Sequence, residues 1–503
     1  MTEIALAPIA TPVVALSPAS PASWVIQMQE DWPLIGALLR RTKGMRARRE
    51  LSLPKWPKEP EAAYEFRLKN STCYGFYADA VNDLAARPFE RPVAWQGTPS
   101  PEIEAVLGDV NGEGCSLEQF GKAWLSLAAA YGVAHVWVDY SLSAPAESLA
   151  EERAQRARPV LRLLPQSAVV DASVDRSGRI THLRVLEFRP ERTGYEEVEI
   201  AHVLEWNLVG GSYEYKLHRR ARTTGEWSVV EGPQPYPLDE LPIATLNLSQ
   251  GQRFRAQPPL LSLAEMEDQH WRTQSDHLNN LSIVSAGGIF VAGISEDEHR
   301  RGFVLGPSAF NSASDPNAKA TWLEPQGGAL EQRALEIKRI ESRMREMAAR
   351  PMVEQVASRT ATEVASGDAR SQTLLQSWVR LLEAAMLDAA KAAALWLQQP
   401  LPEDFKLQCF SDWGATQAQG EHLRALEAGR ARRDIDHETY LAELQRRGVL
   451  STELNLGDVV AAAKAEAEPP DLGGLDGSGV DEGSDGSGDR EQAPGAGDQE
   501  EGA

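Results

Sequence analysis

Two segments with helical periodicity enclose an irregular insert, and this arrangement constrains the fold of the chain more than any other feature of its sequence. Apolar side chains recur at helical spacing over residues 259–284, and residues 328–349 carry an apolar stripe beside a strongly charged surface. Residues 286–326 between them are rich in Gly, Ser, Asn and Pro, which favours short strands and loops. We therefore expect a helical hairpin with an exposed tip, a geometry suited to docking.

The second helix of this pair has the clearer apolar stripe, formed by Leu330, Ala334, Ile337, Ile340, Met344 and Met347. Pro351 ends the helix, because proline lacks the N–H that a helix interior requires. Ile337, Ile340 and Met344 lie at the centre of the stripe, so we expect these three side chains to pack the hairpin.

The N-terminal half combines helices with strands. Apolar and aromatic residues predict a helix over residues 61–86, and Ser116 with Gln119 forms a capping box that opens another helix. The run VAHVWVDY after Gly132 predicts a buried strand. Residues 159–250 alternate strand-forming runs with Gly- and Asp-containing turns, which predicts an antiparallel sheet. The chain is therefore predicted to be an α+β protein.

More helices are predicted after the hairpin. Thr360 and Glu363 form a second capping box, and the apolar face that follows predicts a long helix ending near Gln398. The run FKLQCF predicts a strand, and residues 414–431 and 436–447 predict two more helices. The C-terminal part is therefore predicted to be mainly helical.

About half of the net charge of −22 lies in residues 466–503, which hold twelve acidic residues and one basic residue, Arg490. This segment has too little apolar material to build a core, so we expect it to be disordered. The remaining body is moderately acidic. This net negative charge excludes a protein that binds DNA through a broadly basic surface. It does not exclude a conduit, because a strongly basic wall would hold the phosphates of a sliding duplex.

Targeting and redox features are few. Residues 1–23 are interrupted by four prolines and lack a basic leader, so we interpret them as a disordered arm rather than a signal peptide. No apolar run reaches the roughly 18 residues of a transmembrane helix, so no membrane partner is expected. Cys73, Cys115 and Cys409 are odd in number and far apart, which favours a reducing cytoplasm over a disulfide framework.

A search for chemical motifs finds no Walker A loop, no G-x-S-x-G and no H-E-x-x-H. The run GGIFVAG at residues 287–293 lacks the Lys-Ser/Thr pair that completes a phosphate loop. His270 and His277 could share one helical face, but two histidines do not make a metal site, so we expect packing or exposure. We expect a structural protein with no catalytic residues, no metal and no cofactor.

A basic stretch, RRTKGMRARRELSLPKWPK, occupies residues 40–58 and contains eight Lys or Arg residues against Glu50. Two interpretations stay open: a solvated surface, or a contact with nucleic acid.

The order of these elements resembles the portal proteins of tailed bacteriophages, and more narrowly a portal-like prophage family catalogued as a domain of unknown function. The resemblance covers roughly residues 24–450. Five segments carry it, in chain order: LPKWPKEPEAAYEFRLKNSTCYGFYADAVNDLAARPFERP, GCSLEQFGKAWLSLAAAYGVAHVWVDY, LPIATLNLSQGQ with PPLLSLAEMEDQHWRTQSDHLNNL, ATEVASGDARSQTLLQSWVRLLEAAM, and FSDWGATQAQGEHLRALEAGRARRDIDHETYLAELQRRGVL.

This resemblance implies the parts of a portal subunit. The expected parts are a disordered arm (1–23), a mixed wing (24–255), a first stem helix (256–285), a short-strand clip (286–327), a second stem helix (328–350), a tunnel loop (351–360), a long helix with a return strand (361–412), crown helices (413–465) and an acidic tail (466–503).

The resemblance also implies partners and a location. Portal subunits form a ring, typically of twelve, at one capsid vertex, after assembly in the host cytoplasm. Double-stranded DNA passes through the ring, and the terminase motor, neck or adaptor proteins, capsid and scaffolding proteins dock on it.

Four cations become candidates for the DNA tunnel: Lys338, Arg343, Arg350 and Arg359. Arg350 and Arg359 flank the expected tunnel loop, where weak phosphate contacts would permit sliding. The alternative is that the charges of this region form ion pairs along solvated helix faces.

Two other classes stay open. Another head–tail connector or minor capsid protein would also be structural, but it would lack the helix–insert–helix hairpin. An enzyme acting on nucleic acid or cell wall would need clustered Asp, Glu, His or Cys side chains.

Overall fold

Two groups of antiparallel strands form the centre of the first of two units, which extends from Met1 to Ser411; the second unit is Asp412–Ala503. The computed structural model describes the following residues: 17–141, 155, 157–222, 224–249, 251–286, 288–302, 314–323, 328–352, 373–411, 419–446 and 450.

The larger sheet has five antiparallel strands in the order β4-β5-β6-β7-β8. Their bounds are β4 (Val169–Val174), β5 (Ile180–Thr193), β6 (Glu196–Val209), β7 (Ser212–Arg220) and β8 (Trp227–Pro235). Tight turns join them, and Gly194 and Gly210 take the positive φ that such turns require. The antiparallel sheet predicted within residues 159–250 is confirmed.

A second sheet has three antiparallel strands in the order β3-β2-β9: β2 (Val133–Tyr140), β3 (Pro159–Pro165) and β9 (Ile243–Asn247). The predicted buried strand is its central strand. His135 on β2 is buried, with Nδ1 3.0 Å from the Thr245 hydroxyl and Nε2 2.6 Å from the Gln166 side-chain oxygen. The two sheets share a core that includes Leu164, Val185 and Trp206.

The N-terminal arm is shorter than the sequence suggests. Helix α1 (Ser23–Met28) places Trp24 in the core that the two sheets share. Before it, the Pro18 carbonyl accepts a hydrogen bond from Arg184, and Ala22 N–H donates to the Val170 carbonyl. The prediction that residues 17–23 are disordered is therefore wrong, because sheet residues hold this segment. Residues 1–16 lie outside the described part of the chain.

Six more helices precede or flank the sheets: α2 (Trp32–Leu39), α3 (Arg41–Arg48), α4 (Glu61–Asn70), α5 (Phe76–Ala86), α6 (Pro101–Gly108) and α7 (Leu117–Tyr131). The single helix predicted over residues 61–86 is wrong. Ser71 is extended and Gly75 is left-handed with φ +82°, so the helix is broken into α4 and α5. The capping box of Ser116 and Gln119 is confirmed at the start of α7.

The helical hairpin consists of α8 (Leu261–Ala286), β10 (Gly288–Ala292), α9 (Glu296–Arg301), β11 (Lys319–Leu323) and α10 (Gly328–Ala349). Helices α8 and α10 pack together, and β10 pairs antiparallel with β11. Both predicted long helices and the short strands of the insert are confirmed. The short helix α9, opened by a capping box of Ser295 and Glu298, was not predicted.

Helix α11 (Leu374–Leu397) begins much later than predicted. Its N-cap is Thr373, an extended residue whose side chain accepts from the N–H of Gln376. A continuous helix from Thr360 is therefore wrong, although Thr360 and Glu363 themselves lie outside the described residues. The predicted return strand is present as β12 (Lys406–Gln408), which pairs with β1 (Ala94–Gln96).

Two helices make up the described part of the second unit, α12 (Gln419–Ala431) and α13 (His437–Arg446). Asp436 caps α13, since its carboxylate accepts from the N–H of Thr439 at 2.6 Å. Both predicted helices are confirmed within these bounds, while residues 466–503 lie outside the described part. The described helices include none long and apolar enough to cross a membrane.

Candidate functional site: the helical hairpin and its root

The hairpin divides into a buried root and an exposed outer part. On α8, side chains from Leu263 to Ser275 alternate between buried and surface positions, whereas none of residues 276–282 is buried. On α10, Ile337, Ile340 and Met344 are buried at 6%, 3% and 0% exposure. The root of α8 packs against α2, α4 and α5, and α10 packs against α8 and α5. The first predicted stem helix is therefore half embedded in the body.

Glu267 is the central residue of the root. Its side chain is completely buried, and its Oε1 accepts from the N–H groups of Gly75 at 2.7 Å and Phe76 at 3.0 Å. Its Oε2 accepts from the N–H of Tyr77 at 2.7 Å. The carboxylate of α8 thus caps the N-terminus of α5, where Gly75 has no side chain to do so. The free N–H groups and the dipole of α5 compensate the buried charge.

Cys73 completes this arrangement. Its thiol donates to Glu267 Oε1 at 3.2 Å. Burial, and then the neighbouring carboxylate, raise the pKa of the Cys73 thiol far above its usual range, so the thiol stays protonated and remains a donor.

A second cluster of charged side chains lies further along α8, where Asp276 of this helix approaches Arg67 and Glu59. Arg67 donates to both oxygens of Glu59, and the hydrogen bond from Arg67 lowers the pKa of that carboxyl. Asp276 is 3.5 Å from Arg67, and burial raises the pKa of Asp276. The Ser71 and Ser275 hydroxyls are 2.7 Å apart. Residues of α4 and of the α4–α5 linker therefore hold α8 through polar contacts.

His270 links the two hairpin helices. Its ring is fully buried beside the rings of Tyr74 and Phe76, at centroid distances of 5.0 Å and 6.1 Å. Its Nε2 is 3.5 Å from a Glu341 oxygen on α10. Burial lowers the pKa of His270, which favours the neutral imidazole. The His277 side chain is half-buried at the start of the outer part of α8. Across the described ranges, no three His, Cys, Asp or Glu side chains are placed to hold a metal.

Three of the four cations predicted to line a DNA tunnel belong to the described residues, and all three are exposed. Lys338, Arg343 and Arg350 are exposed, and none forms an ion pair with another described residue, while Arg359 lies outside the described residues. Two neighbours do form helical ion pairs: Arg339 with Glu336 at 3.1 Å, and Arg345 with Glu341 at 3.3 Å. The ion-pair interpretation thus fits these two arginines, and phosphate contact by the other cations stays a prediction.

The basic stretch of residues 40–58 is largely paired with neighbouring helices. Arg41 pairs with Asp79, Arg49 with Glu65, and Lys55 with Glu50 at 3.1 Å. Arg46 donates to the Ser71 carbonyl at 2.8 Å. These contacts favour the interpretation of a solvated, internally neutralised surface over a nucleic-acid site.

Sequence reasoning missed the roles of Glu267 and Arg67. A signal for Glu267 was present, because this carboxylate interrupts the apolar stripe of α8 between Ala264 and Trp271. A charged residue at a core-facing position needs buried donors. The sequence does not say where those donors are.

Residues 259–397, which span the hairpin and all of α11, match a family described as a domain of unknown function, DUF4055. No curated protein matches. Two solved structures with some likeness are a chain of the virion of a native gene transfer agent (GTA) particle and a chain of the neck of a native GTA particle computed with C12 symmetry. The first is 10% identical and covers 83% of this chain and 98% of its own. The second is 12% identical and covers 79% and 98%. Both have a TM-score of 0.37, a level at which neither establishes a shared fold.

Proposed function

We propose that this chain is a portal subunit of a tailed bacteriophage or prophage, one member of a ring at a capsid vertex through which DNA enters and leaves. The observation that carries the proposal is the helical hairpin: two long helices, rooted in the body, extend to a tip of paired strands. In a portal subunit the helices form the stem and the tip forms the clip. The chain then acts as a structural protein rather than an enzyme.

The root suits a mechanical role. A conduit that carries moving DNA must transmit force from its stem to its rim without unfolding. The buried contacts of Glu267, Arg67 and His270 join α8 to α5, α4 and α10 through several independent interactions. Glu267 and Arg67 are buried, hydrogen-bonded charges, and such groups favour one defined arrangement of helices.

The outer hairpin offers surfaces for neighbouring subunits. Leu335 on α10 is 58% exposed and Leu281 on α8 is 44% exposed, although both belong to otherwise polar helix surfaces. A closed ring requires heterologous interfaces, in which one face of a subunit meets a different face of the next. Exposed leucines on two helices of the same hairpin supply apolar contacts for such faces.

Further parts of the proposal follow from the portal assignment. The ring has twelve subunits and encloses double-stranded DNA, with Lys338, Arg343, Arg350 and Arg359 as the cations nearest its path. The tip meets the terminase motor during packaging and neck or adaptor proteins afterwards. Other surfaces meet capsid and scaffolding proteins. The ring assembles in the host cytoplasm and resides in the virion.

Particle mass by light scattering, combined with electron microscopy of the purified full-length chain, tests this proposal. We expect closed rings with a central channel, and the hairpin running beside that channel. A monomer under all assembly conditions would contradict the portal role. A ring in which the hairpin lies on the outer rim would favour another head–tail connector or a minor capsid protein.

A further inference from the structure

A cavity of about 260 Å³ lies between the two sheets and shares no lining residue with the helical hairpin. Five different elements or loops each contribute one aromatic side chain to its wall. These are Trp137, Trp206, Tyr215, Tyr236 and Trp396.

The rings form a continuous wall. The centroids of Trp137 and Trp206 are 4.5 Å apart, and those of Trp206 and Tyr215 are 5.6 Å apart. Tyr236 meets Trp396 edge to face at 6.2 Å. Within the described part of the chain, the hydroxyls of Tyr215 and Tyr236 have no hydrogen-bond partner. The cavity thus combines electron-rich ring faces with two available hydroxyl oxygens.

Two carboxylates and two arginines line this cavity, and the carboxylates are the less exposed of the four. Asp139 and Glu187 line it, and their partners are the more exposed arginines Arg162 at 3.3 Å and Arg189 at 3.1 Å. Such half-exposed pairs are weak, so both carboxylates can accept further donors. Burial raises the pKa of Tyr215 to about 12, and the charges of Glu231, Glu187 and Asp139 add to this rise.

We propose that the cavity binds an arginine side chain presented by a partner polypeptide. A guanidinium stacks on indole and phenol faces while its five N–H groups donate to carboxylate and hydroxyl oxygens. An anion would have to displace Asp139 or Glu187 from Arg162 or Arg189, whereas a guanidinium can share those carboxylates. A neutral apolar group would leave the carboxylates and the two hydroxyls without new partners. The proposal is independent of the portal assignment.

Titration of the full-length chain with N-acetyl-arginine methylamide tests the site, with N-acetyl-norleucine methylamide as the uncharged control. Three of the 13 tryptophans line the cavity, so intrinsic fluorescence reports binding. We expect a saturable change with the arginine probe alone, weakened by added salt. No saturable change, or an equal response to the norleucine probe, would overturn the proposal.

Variants locate the binding. The double variant Asp139→Asn, Glu187→Gln keeps the shape of the wall and should weaken the arginine probe about tenfold or more, equivalent to losing one good charged contact. Glu197→Gln is the matched control, because Glu197 is an exposed β6 carboxylate paired with Arg192 at 2.9 Å. An unchanged affinity in the double variant, with an unchanged unfolding temperature, would show that the probe binds elsewhere and would reject the site.

Discussion

At the scale of single residues, the root depends on Glu267, whose carboxylate satisfies three backbone N–H groups and one thiol. A buried carboxylate with this many donors is costly to alter, because any replacement leaves donors unpaired. The same residue connects α8 to α5 across 190 positions of sequence.

We predict that Glu267→Gln lowers the free energy of unfolding by about 2–4 kcal/mol. The amide keeps the size of the side chain but replaces one acceptor oxygen with a donor that faces backbone N–H groups. Denaturant unfolding of the purified protein measures the loss. Glu331→Gln, an exposed change on α10, is the control and should shift stability by no more than about 0.5 kcal/mol. Equal stability of the two variants would refute the role of Glu267.

A second residue-scale prediction concerns pH. Burial lowers the pKa of His135 to about 4 from a usual value of 6.5. Between these values the unfolded chain binds a proton that the folded chain does not, so stability falls as the pH drops through this window. The loss from this residue should reach roughly 3 kcal/mol near pH 4.

Unfolding titrations from about pH 4 to 7 check this prediction by comparing His135→Leu with the native chain. The variant should show a shallower decline of stability with falling pH, whatever its absolute stability. His299→Leu, at an exposed position of α9, removes a histidine without removing a buried imidazole and should keep the native slope. Parallel slopes for all three proteins would exclude His135 as the source.

At the scale of elements, α10 carries apolar side chains on both a buried and an exposed surface. Met344 is fully buried in the root, whereas Leu335 is exposed on the outer hairpin. The stripe predicted from the sequence therefore stabilises the subunit itself, and in the proposed ring the exposed positions are the ones that would contact a neighbouring subunit.

We predict that Met344→Asp impairs folding of the subunit, whereas Leu335→Asp impairs only ring assembly. Met344→Asp, like Ile337→Asp, buries an unpaired carboxylate at a cost of several kcal/mol and should abolish soluble protein. Leu335→Asp should leave the subunit folded but convert rings to monomers, as measured by light scattering and circular dichroism. Gln332→Asp, also exposed on α10, should leave rings intact. Intact rings of Leu335→Asp would remove Leu335 from the interface.

At the scale of the whole molecule, the acidic body of the proposed portal ring would leave only a few cations for passing DNA. A sparse set of unpaired arginines binds phosphate weakly, which permits sliding. The ion pairs of Arg339 and Arg345 remove those two from consideration, and Lys338, Arg343 and Arg350 remain.

We predict that the double variant Arg350→Ala, Arg359→Ala assembles normal rings but lowers the yield or retention of packaged DNA. The deficit should grow with ionic strength, because phosphate contacts weaken as salt rises. Packaged DNA per particle, measured across salt concentrations, is the readout. Arg339→Ala, which removes a paired arginine from α10, serves as the control. DNA filling and retention that match the native particle at every salt concentration would falsify the tunnel role.

The sequence by itself determined the features that depend on neighbours along the chain. Helical spacing located α8 and α10, the alternation of strands and turns located the antiparallel sheet, and Ser116 with Gln119 located the start of α7. These signals are local, since a capping box or a helical stripe is complete within a few residues. The same locality explains an error, because the helical pattern predicted from residue 361 continues past Thr373, where the structure begins α11.

Only the tertiary structure decided which polar residues form the buried contacts of the root. The donors to Glu267 come from residues 73–77, and the pair of Arg67 and Asp276 joins positions 209 apart. The aromatic cavity likewise collects one ring from each of five distant segments. Periodicity reports that a side chain faces inward, but the partner it meets there is set by how the elements pack. A buried charge is stable only with that partner, which is why its role emerged from the fold.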